Sequence, residues 1–349
     1  MSDGEILPTV SIVVPVRNGA ATIGELLESL LKIDYDSHRL EIVVVDGNST
    51  DKTRDIVTEY PVKLLTQEGE GLNAGRNTGI RHSNGEIIAF TDADCVVPEN
   101  WITQIVQNFR EPEVGCVGGN SEGWYNNFLS RYADNSVVPI QRIFSKRQKL
   151  DMIKLVSDSP AGSNTAFRRE AIEKVGGFDE ELRYGFDEVE LVERVCRASY
   201  KMVLDPEVRV WHKHRSTLKA LLKQNINFGR GGGILLKKKK ARDVLSKWCL
   251  QSLIVFLAWV GIISSLLVLT FITELNIFLM LLLGVAILPL LGLVAFYTYR
   301  AVQDEKNRRY KRILIYALLD FLRAVAFCVG EIYELLKLEK QNRNLNECS

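Results

Sequence analysis

Several features that would settle the class of a chain at once are absent from these 349 residues. The six cysteines (Cys95, Cys116, Cys196, Cys249, Cys328 and Cys348) are scattered, with no Cys-x-x-Cys pair. That spacing supports neither a zinc site nor a disulfide framework, so a reducing compartment is expected. Charge of one sign is missing too: the formal net charge is +1, which gives no global field for nucleic acid. No Gly-Lys-Ser/Thr occurs, and the glycines match no dinucleotide fingerprint. Residues 1–8 lack a basic region followed by an apolar core, so no signal peptide is read there. The first domain is therefore expected to stay in the cytoplasm. Histidine is scarce, with four in all.

What is present divides the chain. Residues up to about Trp211 read as a mixed α/β protein, while from Lys237 onward Lys-Arg clusters alternate with long apolar runs. In the first part, apolar β-rich runs at 9–14, 41–45, 62–66, 87–90 and 114–117 alternate with helical spacing at 23–31, 50–60, 72–82 and 101–109. This alternation predicts a largely parallel sheet with helices on both faces. Ligands of such sheets bind beyond the carboxyl ends of the strands. Arg17 and Asn18, Asp46, and Asp92 with Asp94 all fall at those ends. Turn chemistry explains one such polar terminus, but three together point to a site.

The centre of that pattern is Ile87, Ile88, Ala89 and Phe90, followed by Thr91, Asp92, Ala93 and Asp94. On an extended strand, Asp92 and Asp94 share a side and can converge on a hard divalent cation such as Mg²⁺. The alternative is that they cap the helix beginning near Trp101. Asp46 reads as a hydrogen-bond acceptor for a base or ribose, or as the cap of the helix near Thr50. Arg76 stands where a cation would hold a diphosphate, or is an exposed helical arginine. Asp187, Glu188, Glu190 and Glu193 crowd a helix start, where the macrodipole favours acids. A carboxylate there could also take a proton from an incoming hydroxyl. His212 and His214 lie two apart after a predicted strand and can face one side. Residues 121–155 carry aromatics and charges without a clean period, and are read as an acceptor-contacting stretch.

Over roughly residues 8–215 the chain resembles a family 2 glycosyltransferase of the GT-A fold. The matching stretches are Ser11 to Asn18, Val45 to Asp51, Ala74 to Gly79, Phe90 to Asp94, Gly176 to Glu180 and the acidic run ending at Arg194. The resemblance implies a Rossmann-like α/β nucleotide-diphospho-sugar transferase fold, here with an α-helical membrane region after it. It implies a nucleotide-sugar-binding set of Pro15, Arg17, Asn18, Asp46, Arg76 and Asp92, with Asp46 at the base and Asp92 on the ribose side. It implies Mn²⁺ or Mg²⁺ on Asp94, approached by His212 or His214. The family's base is the Asp of a Glu-Asp pair before Leu-x-x-Arg. Here the pair reads Asp187-Glu188, followed by Leu191 and Arg194, so the base is placed at Glu188 with Asp187 as the fallback. The Gln-x-x-Arg-Trp motif of processive polymerases has only the remnant Gln224 to Phe228.

Runs 248–273 and 275–299 are uncharged, and each is longer than the ~20 residues that a membrane-crossing helix needs. Basic clusters lie outside both, and the turn between them carries only Glu274. The positive-inside rule therefore predicts a hairpin with both ends cytoplasmic, in a multi-pass protein of the cell membrane. Residues 313–336 hold Asp320, Arg323, Glu331 and Glu334, and are read as an interfacial or partly inserted helix, or a third span. The expected organisation is a cytoplasmic transferase domain over 1–235 and a membrane region over 236–349. The expected function is inverting transfer of a sugar from a UDP- or GDP-type donor to a lipid-linked, polyprenyl-type or glycan acceptor at the membrane lipid. The alternative is a membrane-tethered nucleotide-sugar-binding scaffold without catalysis.

Overall fold

In the computed structural model, residues 7–125, 127–136, 143–154, 158–239, 242–273, 276–303 and 312–347 are described. They fall into two units. The first spans Met1–Asn135 and Ile140–Arg215, the second Ser136–Pro139 and Ser216–Ser349.

The first unit is built on β1 (Val10–Val16), buried along its whole length. It pairs in parallel with β2 (Leu40–Asp46) on one side and β4 (Ile87–Phe90) on the other. β3 (Lys63–Thr66) adds in parallel to β2. Alternate residues of a strand face opposite sides, and the covering helices follow that rule. Val10, Ile12 and Val14 share a core with α1 (Ile23–Leu30) and α4 (Trp101–Asn108). The other face, at Val13, meets α3 (Leu72–Arg81), where a Cβ on Gly79 would lie 2.2 Å from the Val13 side chain. Only glycine lets this helix sit so low on the sheet. α2 (Thr53–Thr58) adds Val57 to the core shared by α1 and α4.

Past β4 the sheet becomes mixed. β8 (Thr165–Arg168) runs antiparallel between β4 and β6 (Val114–Gly123). β9 (Lys201–His212) returns parallel to β6. The strand order is β3-β2-β1-β4-β8-β6-β9-β5, with β7 (Gln148–Leu150) also on β9. The two-residue β5 (Cys95–Val96) pairs antiparallel with the end of β9, Cys95 opposite His212. Three further helices complete the unit: α5 (Phe128–Ala133), α6 (Arg169–Lys174) and α7 (Asp187–Arg197). The register Val16 to Asp46 and Val13 to Phe90 sets the carboxyl ends of β1, β2 and β4 side by side. The polar strand ends predicted from the sequence are thus neighbours.

The second unit is helical: α8 (Leu218–Lys239), α9 (Val244–Thr273), α10 (Asn276–Gln303) and α11 (Ile313–Glu347). Among the described residues, three helices are long and apolar enough to cross a membrane, over Val244–Thr273, Ile277–Arg300 and Ile313–Lys337. α9 and α10 leave large apolar side chains such as Val255, Phe271 and Met280 exposed, as lipid-facing helices do. α11 instead buries Asp320, Arg323, Glu331 and Glu334. Asp320 accepts a hydrogen bond from Ser136 Oγ at 2.6 Å and another from the Tyr297 hydroxyl. Glu334 accepts from Arg230 at 2.7 Å. Gly229 and Gly330 allow α8 and α11 to touch backbone to backbone: a Cβ on Gly330 would lie 2.1 Å from the Ile226 carbonyl oxygen. Glu274, and Lys306, Arg308, Arg309 and Lys311 of the basic cluster after the second run, lie outside the described residues, as do 126, 137–142 and 155 of the acceptor-contacting stretch.

Candidate active site

β4 ends at Phe90, and Asp92 and Asp94 sit in the turn that follows, closed by the Cys95 amide donating to the Asp92 carbonyl at 3.0 Å. Their side chains therefore do not share a strand face. Nor do they cap α4, whose N-cap is Asn100. Asp92 faces Arg76, 3.7 Å away, and Asp94 faces His212, whose Nε2 lies 3.2 Å from Asp94 Oδ1. The β5–β9 pairing makes the second contact, reinforced by the Lys213 amide donating to the Asp94 carbonyl at 2.9 Å. Arg215 stands 3.7 Å from the other Asp94 oxygen.

Arg76 is buried on α3 and forms an ion pair with Asp187. Two motifs about a hundred residues apart hold it there. Asn77 donates its amide to the Phe178 carbonyl and accepts from the Phe178 amide, each at 2.9 Å. Asn73 donates to the carbonyls of Asp179 and Leu182 at 2.9 and 2.8 Å. The Arg76 guanidinium then lies 5.0 Å from the Phe178 ring centre, a cation–π contact. The bland alternative, an exposed helical arginine, is excluded by this burial.

Asp187 and Glu188 open α7, preceded by Phe186 with φ 65°. A bulky residue in the left-handed region is strained, and such strain concentrates at functional sites. Asp187 is committed to Arg76, whereas Glu188 is half-buried beside Gly162. A Cβ at Gly162 would come within 3.1 Å of Arg76 Nη2 and 3.3 Å of the Glu188 carboxyl carbon, so any larger residue would press on both groups. Glu190, the next acid in the turn, is tied up by Arg194 at 2.8 Å.

The electrostatics separate these carboxylates. Burial, reinforced by the neighbouring Asp187 charge and opposed by Arg76, pushes Glu188 up to about 8. Burial also raises Asp92, against Arg76 and with the help of Asp94. Burial works the same way on Asp94, but the His212 hydrogen bond and the Arg215 charge outweigh it and hold Asp94 below the ordinary carboxylate value. His212 is raised in turn, since Asp94 outweighs the burial that would lower it.

Asp94, Cys95 and His212 offer ligand atoms within 4.8 Å of one another. The Cys95 thiol, which burial pushes well above its usual value, is a soft donor that suits a hard cation poorly. The carboxylate–imidazole pair that remains suits Mn²⁺ or Mg²⁺. His214 lies one step behind, its Nδ1 3.0 Å from Nδ1 of His212. Asp46 is fully buried, accepting from the Ser49 amide at 3.2 Å and from Arg54 at 3.0 Å. Pro15 is buried at the end of β1, Arg17 is exposed, and Asn18 accepts the Thr50 amide at 2.8 Å, tying the β1 and β2 loops together. The sequence reading passed over Arg215, Gly162 and Asp134. Arg215 directly follows the second histidine, but Asp134 carried no signal.

Residues 11–176 match the family described as Glycosyl transferase family 2. A relative, the glycosyltransferase AglE of Haloferax volcanii, is 31% identical over 234 residues, 64% of this chain and 73% of its own. This chain belongs to glycosyl transferase family 2. A further relative, the probable glycosyltransferase YdaM of Bacillus subtilis, is 28% identical over 94% of this chain and 82% of its own. The GT-A fold is shared with the mannosyltransferase PcManGT of Pyrobaculum calidifontis, solved in complex with GDP-Man and Mn²⁺. That structure aligns with a TM-score of 0.59 at 21% identity, over 92% of this chain and 88% of that one.

Proposed function

We propose that this glycosyltransferase is membrane-anchored, metal-dependent and inverting, and moves a sugar from a nucleotide-diphosphate donor to a lipid-linked, polyprenyl-type or glycan acceptor. The observation that carries the reading is the pairing of opposed chemistries around Arg76: Asp92 and Asp94 with His212 on one flank, Asp187 and Glu188 on the other. In this reading Pro15, Arg17, Asn18, Asp46, Arg76 and Asp92 frame the nucleotide, with Asp46 reached when the half-exposed Arg54 swings aside. Asp94 and His212 would hold a divalent cation, which when bound supplies positive charge to the departing diphosphate. Arg215 adds a second positive group on that side.

Glu188 is the base. Asp187 spends its charge on Arg76, so it positions rather than abstracts. Glu188, raised to about 8, holds a proton well when it accepts one from an acceptor hydroxyl. Attack from the face opposite the nucleotide gives one displacement and an inverted anomeric centre. The three long apolar helices support an acceptor that resides at the membrane surface, with the catalytic unit on the cytoplasmic side, where nucleotide sugars are supplied. The test is incubation of the detergent-solubilised chain with UDP- and GDP-sugars, a polyprenyl-linked sugar as hydroxyl acceptor and Mn²⁺, with the product anomer read by NMR. An inverted linkage is expected. A retained linkage, or donor hydrolysis without transfer, would sink the reading.

A further inference from the structure

We propose that His214 and Asp134 form a positioning relay that fixes the tautomer and orientation of His212, and that His214 is not itself a cation ligand. This rests on the reading of Asp94 and His212 as the cation-holding pair. Four groups lie in sequence. Asp94 Oδ1 faces His212 Nε2 at 3.2 Å, His212 Nδ1 faces His214 Nδ1 at 3.0 Å, and His214 Nε2 faces Asp134 Oδ1 at 3.0 Å.

A neutral imidazole has one N–H and one lone pair. When His212 turns the Nε2 lone pair towards a cation beside Asp94, its own proton must sit on Nδ1. The nearest acceptor for that proton is His214 Nδ1. His214 must then carry its proton on Nε2, where Asp134 receives it. The opposite run would aim a His214 lone pair at the carboxylate. One anion at Asp134 therefore sets the direction of both rings.

The local backbone is built around this relay. Asp134 closes the C-terminal end of α5, and its Oδ1 also accepts the Gly123 amide at 2.9 Å. Gly123 pairs with His212 between β6 and β9. A Cβ there would lie 2.1 Å from Ser130 Oγ, 3.0 Å from Asp134 Oδ2 and 3.1 Å from His214 Cδ2. Any side chain there would displace Ser130 and press on both outer members of the relay.

The experiment is Mn²⁺ titration of the full chain in detergent, with free Mn²⁺ read by electron paramagnetic resonance. The variants are His212→Ala, His214→Ala, Asp134→Ala and Asp134→Asn, each checked for its melting temperature. Outer partners of metal-bound histidines typically change affinity by ~10–100-fold, so Asp134→Ala and His214→Ala should each weaken Mn²⁺ by about tenfold. Asp134→Asn, which keeps an acceptor oxygen, should recover most of that loss. The double variant Asp134→Ala/His214→Ala should be no worse than either single, and Asp134→Ala should add nothing in a His212→Ala background. Additive losses, or a His214→Ala defect matching His212→Ala, would make His214 a direct ligand and overturn the relay. Unchanged affinity in folded Asp134→Ala would overturn it too. If His212→Ala leaves Mn²⁺ binding intact, the cation reading itself fails and the relay falls with it.

Discussion

Asp187 and Asp320 are both buried aspartates with an arginine close by, yet their surroundings differ. Asp187 pairs with Arg76, and that pair borders Glu188 and two carboxylates that remain open, Asp92 at 33% and Asp94 at 23% side-chain exposure. Asp320 is closed in by Ser136 and Tyr297, with Arg323 3.8 Å away. The first network ends at a rim where more charge could be satisfied by something not of this chain. The second is shut off from solvent, with Asp320 and Arg323 both buried. Burial and pairing of charge therefore do not distinguish a reactive site from structural glue. The open edge of the network does.

The largest break in that comparison should come from Asp94→Ala. Removing a preorganised charge partner at a reacting centre typically costs ~10²–10³-fold, and we expect transfer to fall by about 10³-fold with little change in melting temperature. Glu188→Gln should follow, with turnover down about 10²-fold and donor binding retained, since general-base contributions run ~10²–10⁴-fold. The pH profile sharpens the same point. Glu188 must be ionised to act as base, and it is raised to about 8, so kcat/KM should rise with pH and level off above that value. For stability the sign reverses. The folded acid resists ionisation, so the fold loses stability as pH rises from the ordinary 4.5 towards about 8, and Glu188→Gln should flatten that decline. Smallest in activity is Asp320→Ala. It should lower stability by ~1–3 kcal/mol, leaving polar partners buried and unpaired, while Mn²⁺ affinity stays as in the parent.

The first unit was largely legible in the sequence because its period and its turns agree. The strands at β1, β2 and β4 and the helices between them follow apolar spacing, and their polar ends lie together as expected. The route by which Asp92 and Asp94 reach the site was not legible. Strand spacing suggested a shared face, but β4 stops at Phe90 and a turn sends the two carboxylates to different partners. The Asp94–His212 contact depends on a two-residue strand, too short to leave a periodic trace. Asp134 is brought in by tertiary packing alone. In the second unit the charges of α11 suggested a polar face at an interface. The structure turns them inward, because Asp320 and Glu334 find partners on other segments of that unit. Partners of that kind cannot be read from one helix's sequence.

The central claim is a metal-dependent donor site centred on Asp94. Calorimetric titration of the detergent-solubilised chain with UDP and with GDP, each with and without Mn²⁺, tests it most directly when run beside Asp94→Ala. The account predicts that one nucleotide binds only with Mn²⁺ and that the substitution abolishes this binding. Folded protein that binds neither nucleotide, or binds one equally well without metal and in Asp94→Ala, would contradict it.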